Sequence, residues 1–193
     1  MKKQIRTTPT TLKSGRLPAV ALAIAALMLF VGEAHAQVGL AVEGRAGVTF
    51  PTGDLSDAGA EAGLLLGAEL QINFHPNLTA YVGFQRYTFG CDNDCSLGND
   101  PVSMGIAAGL KYIFHNPGDV LVWGRGGIVA NTFDNDAGSG DREIGFELGV
   151  GADLPVATRL YLVPQIGFVS HAAGSNFQAS FFTLGVGVHY HLR

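Results

Sequence analysis

Alternating apolar and polar runs in this chain close at Phe74, Phe114, Leu154 and Leu192, in steps of 40, 40 and 38 residues. A fixed period sets the scaffold on which every motif has to sit, so it is read first. Each period holds two alternating runs separated by a turn, and four periods make eight strands. The pattern predicts an all-β fold, an eight-stranded antiparallel up-and-down barrel.

The first 36 residues stand apart from that period. Lys2, Lys3, Arg6, Lys13 and Arg16 precede an apolar run from Leu17 to Val31, and Ala34-His35-Ala36 precedes Gln37. A basic start, an apolar run of about 15 residues and a small-x-small site predict a cleaved secretory signal over 1–36. A membrane-spanning helix needs about 20 apolar residues. The barrel is then expected over 37–193. Removing those five bases and Glu33 from 12 basic and 16 acidic residues leaves 7 against 15, a net charge of −8, which argues against nucleic acid as a partner. Export also places the two cysteines, Cys91 and Cys95, in an oxidising compartment, where a small loop disulfide is expected. Two thiols with no companion ligands do not complete a tetrahedral metal site.

Period-two alternation sorts each strand into two faces. The second strand sets Leu64, Leu66, Ala68, Leu70, Ile72 and Phe74 against Gly63, Leu65, Gly67, Glu69, Gln71 and Asn73. The fourth sets Met104, Ile106, Ala108, Leu110, Tyr112 and Phe114 against Ser103, Gly105, Ala107, Gly109 and Lys111. The sixth opposes Ile144, Phe146, Leu148 and Val150 to Glu143, Gly145, Glu147, Gly149, Gly151 and Asp153. The eighth opposes Phe182, Leu184, Val186, Val188 and Tyr190 to Phe181, Thr183, Gly185, Gly187, His189 and His191. Alternation alone fits a soluble barrel with an apolar interior as well as a membrane barrel with an apolar exterior. Two features separate them. The second face is mostly glycine and small residues with few charges, too few for a solvated surface but suited to a narrow lumen. Connections at 74–78, 114–119 and 154–158 are short, whereas those near 51–62, 90–101, 134–142 and 171–178 are longer and mostly polar. Short periplasmic turns and long external loops belong to outer-membrane barrels. The barrel is therefore expected to be transmembrane, with Phe74, Tyr112, Phe114 and Tyr190 as interfacial aromatics at the short-turn end.

On these segments the chain resembles the OmpA/OmpX-like family of small outer-membrane β-barrels. The resemblance rests on Gly47-Val-Thr-Phe-Pro-Thr-Gly-Asp54, on Asn73-Phe-His-Pro-Asn-Leu-Thr-Ala-Tyr81 and on the closing strand Phe181 to Leu192, and it spans Val38 to Arg193. It implies residence in the outer membrane, contact with outer-membrane lipid and lipopolysaccharide, insertion by the barrel assembly machinery and a monomeric state. Such chains usually end on an aromatic residue, whereas this one continues past Tyr190 to His-Leu-Arg193.

The chemistry open to the chain lies in the lumen and the loops. Glu43, Arg45, Glu69, Lys111, Arg125 and Glu147 fall on the lumen face, three acids and three bases that must pair in a low-dielectric interior, so a neutralising ion-pair network is expected. Its simplest role is to plug a bore that eight strands leave just wide enough for side chains. A gate whose pairs swap to admit small ions is the alternative. An outward His-x-Ser pair, as in lipid A deacylases, is absent: Ser170-His171 and Ser175-Asn176 do not set a base beside a nucleophile, and no enzyme is expected. His189 and His191 share a face but lack a third ligand, so no metal or cofactor is expected. The loop acids Asp54, Asp57, Glu61, Asp92, Asp94, Asp100, Asp134, Asp136 and Asp141 suit a solvated surface or weak divalent bridging to lipopolysaccharide phosphate. The run 134–141 fails as an EF-hand because Ser139 takes the glycine position. Pro164, inside the seventh strand, predicts a bulge. Expected function is structural or surface-interacting, through envelope integrity, adhesion or loop-mediated binding. A small pore is the alternative.

Overall fold

The computed structural model describes residues 39–91, 95–98, 101–116, 118–135, 138–174 and 176–192. The segment expected to be a signal lies outside them, as do Asp92, Asp94, Asp100 and Asp136. Eight strands make the barrel: β1 Gly39–Thr52, β2 Gly63–His75, β3 Leu78–Thr88, β4 Val102–His115, β5 Leu121–Asn135, β6 Gly138–Ala157, β7 Leu160–Ala172 and β8 Gln178–His191. Each pairs antiparallel with its sequence neighbours. β1 closes on β8 through an unbroken register from Ala41↔His191 to Thr52↔Ser180.

The stagger of the barrel follows from the registers. A row of opposed residues begun at Phe50 on β1 runs through Phe182, Phe168, Leu148, Gly126, Leu110, Ala80 and Ile72, and returns to β1 at Leu40. The sheet thus climbs ten residues per circuit, and its strands cross the wall obliquely, as closure of a twisted sheet requires.

Alternation places the apolar set outside. Leu64, Leu66, Phe84, Ile106, Leu110, Ile128, Ile144, Leu148, Ile166 and Leu184 all stand exposed on the barrel wall, while their sequence neighbours turn inward. A continuous exposed apolar wall of this extent has no place in water, and it matches the hydrocarbon band of a bilayer. Glycines on the inner face give long side chains their room. A Cβ on Gly83 would meet Glu69, one on Gly149 would meet Arg125, and one on Gly187 would meet Glu43.

Two departures from the sequence reading have local causes. The stretch 134–142, expected as a loop, is largely strand. β5 and β6 stay paired out to Asn135↔Gly138, with a register shift between Thr132 and Asp134, and Gly138 takes a positive φ of 129°, which glycine adopts without strain. Pro164 produces no bulge. β6 and β7 hold one register on both sides of it, from Gly151↔Gln165 to Leu154↔Leu162, and only the rungs between are missing. The missing N–H removes ladder bonds without shifting the strands.

Candidate functional site: a filled lumen

The interior of the barrel is the best-defined arrangement of polar groups in the molecule, and it divides into two halves. Toward the short-turn end lies a buried charge network. Glu69 on β2 is its hub: one oxygen takes the guanidinium of Arg45 and, at 3.0 Å, Nη1 of Arg125, while the other accepts from Gln71 Nε2 at 2.7 Å. Arg125 also pairs with Glu147. Glu147 in turn accepts from the Tyr81 hydroxyl at 2.6 Å and from Gln85 Nε2 at 2.9 Å. The Tyr87 hydroxyl continues the chain by donating to Gln85.

Glu43 forms no ion pair among the described residues. It accepts from Gln71 Nε2 and Gln165 Nε2, each at 2.9 Å, and Gln165 Oε1 accepts from Arg45 Nη1 at 3.2 Å. Glu69, Arg45, Gln165, Glu43 and Gln71 therefore close a ring of hydrogen bonds across β1, β2 and β7.

Lys111 stands apart from the acids expected for it. Its Nζ lies 3.2 Å from both carboxylate oxygens of Asp153 and 4.4 Å from the centroid of Trp123. Asp153 also accepts from Trp123 Nε1 at 2.7 Å and has His189 Nδ1 at 3.5 Å. The expected set of three acids and three bases is thus incomplete. Asp153 faces the lumen by its place in β6, and alternation marks it as plainly as it marks Glu147. The bridging glutamines are also on the lumen face, but no charge singles them out in the sequence. Arg125 further stacks over Tyr81, its Cζ 4.1 Å from the ring centroid.

Toward the long-loop end the lumen is mostly apolar. Tyr87, Phe89 and Phe181 pack ring against ring, with centroids 4.6 Å apart for Tyr87 and Phe181 and 5.1 Å for Phe89 and Phe181. Leu65, Val129, Phe133, Val169 and Ala179 surround them, and Leu55 closes the top. Leu55 belongs to α1, Asp54–Asp57, a single turn held over the mouth by Gln178 N donating to Asp54 Oδ2 at 3.0 Å. The cap is tied to its neighbour by the bridge Ala60↔Cys91 and by Ser96 N donating to the Ala58 carbonyl at 3.0 Å. Cys91 and Cys95 are joined in a disulfide beside that bridge. Where the two halves meet, Arg45, Gln85, Arg125, Glu147, Gln165 and Thr183 line a cavity of about 20 Å³. That is room for one water molecule.

His171 has a serine partner that its sequence position conceals. Its Nδ1 lies 2.8 Å from the Ala172 carbonyl and its Nε2 lies 2.8 Å from Ser103 Oγ, which also accepts from Asn131 Nδ2 at 3.1 Å. Ser103 comes from β4, across the lumen, and all three side chains are buried under the loops. Phe74, Tyr112, Phe114 and Tyr190 stand exposed on the outer wall at the short-turn ends of β2, β4 and β8. His189 and His191 lie ring beside ring, and Tyr161 packs against both, tilted to His189 and edge-on to His191, with centroids 5.8 and 5.2 Å away. Among the described residues no three His, Cys, Asp or Glu side chains converge in a way that could hold a metal ion.

No protein-family model and no curated protein matches this sequence. Solved structures do match its shape. Neisserial surface protein A superposes with a TM-score of 0.66 at 16% identity, over 78% of this chain and 96% of that one. The outer membrane protein AlkL gives 0.52 at 14% identity, over 83% and 93%. OprG from Pseudomonas aeruginosa gives 0.50 at 12%, over 79% and 95%. At such identities the likeness is one of fold, and the fold is that of small eight-stranded outer-membrane β-barrels.

Proposed function

We propose that this chain is a sealed outer-membrane barrel, exported by its N-terminal signal, inserted by the assembly machinery as a monomer, and acting through its outer surface rather than through its bore. The observation that carries this reading is the double obstruction of the lumen. A conducting path would have to pass the buried ion-pair network that links β1, β2, β5, β6 and β7 and then an aromatic cluster capped by Leu55. Either layer alone opposes hydrated ions, because separating a buried pair costs several kcal/mol and the aromatic cluster cannot replace an ion's hydration shell.

Short turns on one side and the capped, longer connections on the other orient the barrel with its cap outward. The role left to it is structural or interactive: envelope integrity, adhesion or binding by the loops. Ser103 and His171 have the hydrogen bond of a nucleophile and its base, but both are closed off beneath the cap. We read them as filling for the lumen rather than as an enzyme.

Planar-bilayer recording of the purified barrel tests the proposal. A silent bilayer is expected, with conductance appearing only when both layers are opened together, as in Arg125→Ala with Phe181→Ala. Large steady currents from the unaltered protein would overturn it in favour of a small pore.

A further inference from the structure

The buried charges of the lumen do not balance. Four carboxylates, Glu43, Glu69, Glu147 and Asp153, lie inside with three cations, Arg45, Lys111 and Arg125, and none of the seven is more than 8% exposed. Three of the acids are paired, Glu69 and Glu147 with the arginines and Asp153 with Lys111. Glu43 has only the amide donors of Gln71 and Gln165. An uncompensated charge in such an interior is strongly unfavourable, so a fourth positive charge is called for within reach of these acids.

Two buried histidines are available, and geometry separates them. Ser103 Oγ accepts from Asn131, and His171 Nε2 is the only acceptor its own hydrogen meets among the described residues, while the Ala172 carbonyl takes the hydrogen on His171 Nδ1. One ring nitrogen accepts and the other donates, which is the pattern of a neutral imidazole. His189 is different. It is buried, and neither ring nitrogen has a hydrogen-bond partner among the described residues. Its Nδ1 stands 3.5 Å from Asp153 Oδ2, and Glu43 lies opposite it in the register of β1. The other titratable and charged groups around it are Lys111, 3.2 Å from the same Asp153 oxygen, and Tyr161 and His191, whose rings pack against its own. Glu69, beside Glu43 on β2, is already shared by Arg45 and Arg125. The centroids of His189 and His191 are 4.6 Å apart, where two charged rings would repel, so the pair carries one charge, on the ring beside the acids.

We propose that the lumen binds a proton on His189, at its short-turn mouth, as its fourth positive charge. The proton comes from solvent by way of the half-buried His191 and sits beside Asp153 and across from Glu43, bringing the lumen to four charges of each sign. A protonated Nδ1 turns the approach to Asp153 into a charge-assisted contact. The mouth of the lumen is thereby sensitive to acidity, because loss of the proton in base leaves one buried carboxylate unbalanced. The inference depends on the packing of the lumen, not on the sealing of the bore or on what the outer surface binds.

Nuclear magnetic resonance of the folded barrel, labelled with nitrogen-15 in its histidines, reads the ring directly, with His189 identified by the signal lost in His189→Gln. At about pH 7.5 a free imidazole is mostly neutral, whereas His189 is expected to show two protonated nitrogens. A neutral ring there would overturn the site. The ratio of folded to unfolded barrel in urea gives a second reading. His189→Gln is expected to lower that ratio about tenfold, the scale of one charge-assisted contact. In a Glu43→Gln background, where the same change leaves three acids with three bases, it should cost little. An equal cost in both backgrounds would assign His189 to packing alone and overturn the charge. Replacing sodium by choline at constant ionic strength should leave the ratio of the unaltered protein unchanged, and a fall would make the fourth charge a metal ion rather than a proton.

Discussion

The two halves of the lumen fill the same bore by opposite chemistry. Toward the short turns, Glu43, Glu69, Glu147 and Asp153 are buried with Arg45, Lys111 and Arg125, and tyrosine, tryptophan and glutamine side chains satisfy the remaining oxygens. Toward the loops, aromatic and aliphatic side chains meet under Leu55 with little polar chemistry beyond the Ser103, Asn131 and His171 cluster. The aromatic cluster gains its stability mainly from burial and tolerates apolar fillings of similar volume. The charged half gains little from being charged, since desolvation offsets most of the attraction, but it penalises any change that leaves one partner alone. Similar occupancy therefore goes with very different sensitivity to substitution.

Substitutions can break that contrast, and the largest effect is expected at Arg125. Arg125→Ala leaves Glu69 with one cation and Glu147 with none, and should lower stability in urea unfolding from lipid vesicles by about 3–5 kcal/mol. Replacing the ion pair as a unit sharpens the point: Arg125→Met with Glu147→Leu should recover at least about 1 kcal/mol of that loss, and no recovery would show that the pairing itself stabilises the barrel. Phe181→Ala in the other half opens a cavity and should cost about 3 kcal/mol, with Phe181→Leu restoring most of it. Lys111→Met leaves Asp153 with Trp123 and His189 and should cost about 2 kcal/mol, the scale of a lost charged hydrogen bond in a buried site. The smallest effect is expected at the cap, where Cys91→Ser with Cys95→Ser removes a very short covalent loop and should cost at most about 2 kcal/mol. Stability equal to the parent for Arg125→Ala would erase the distinction between the halves.

Much of this was legible in the sequence, for a physical reason. A membrane barrel repeats one constraint, apolar outside and small or polar inside, at every second residue, so strand number, the facing of Glu69, Lys111, Arg125 and Glu147, and the outward aromatics all follow from parity. Partner choice does not. That Lys111 meets Asp153 rather than Glu69 depends on stagger, which is set by eight registers acting together and is not carried by any single strand. The same holds for Ser103 and His171, 68 residues apart in the chain but 2.8 Å apart across the lumen. The hairpin at 134–142 was hidden by composition, because Asp, Asn, Ser and Gly signal a turn, and here β5 and β6 carry them in paired extension.

The closing seam sets the timing of assembly. β1 and β8 join residues more than a hundred positions apart, so neither terminal strand of the barrel has its second neighbour until the other has been made. In hydrocarbon an unpaired strand edge leaves backbone groups with no partner, which bars a half-built wall from resting there. Local hairpins such as β5–β6 can form early, but the ring becomes habitable for the membrane only as a whole. Folding should therefore be slow and concerted, with the β1–β8 contact appearing last and together with insertion.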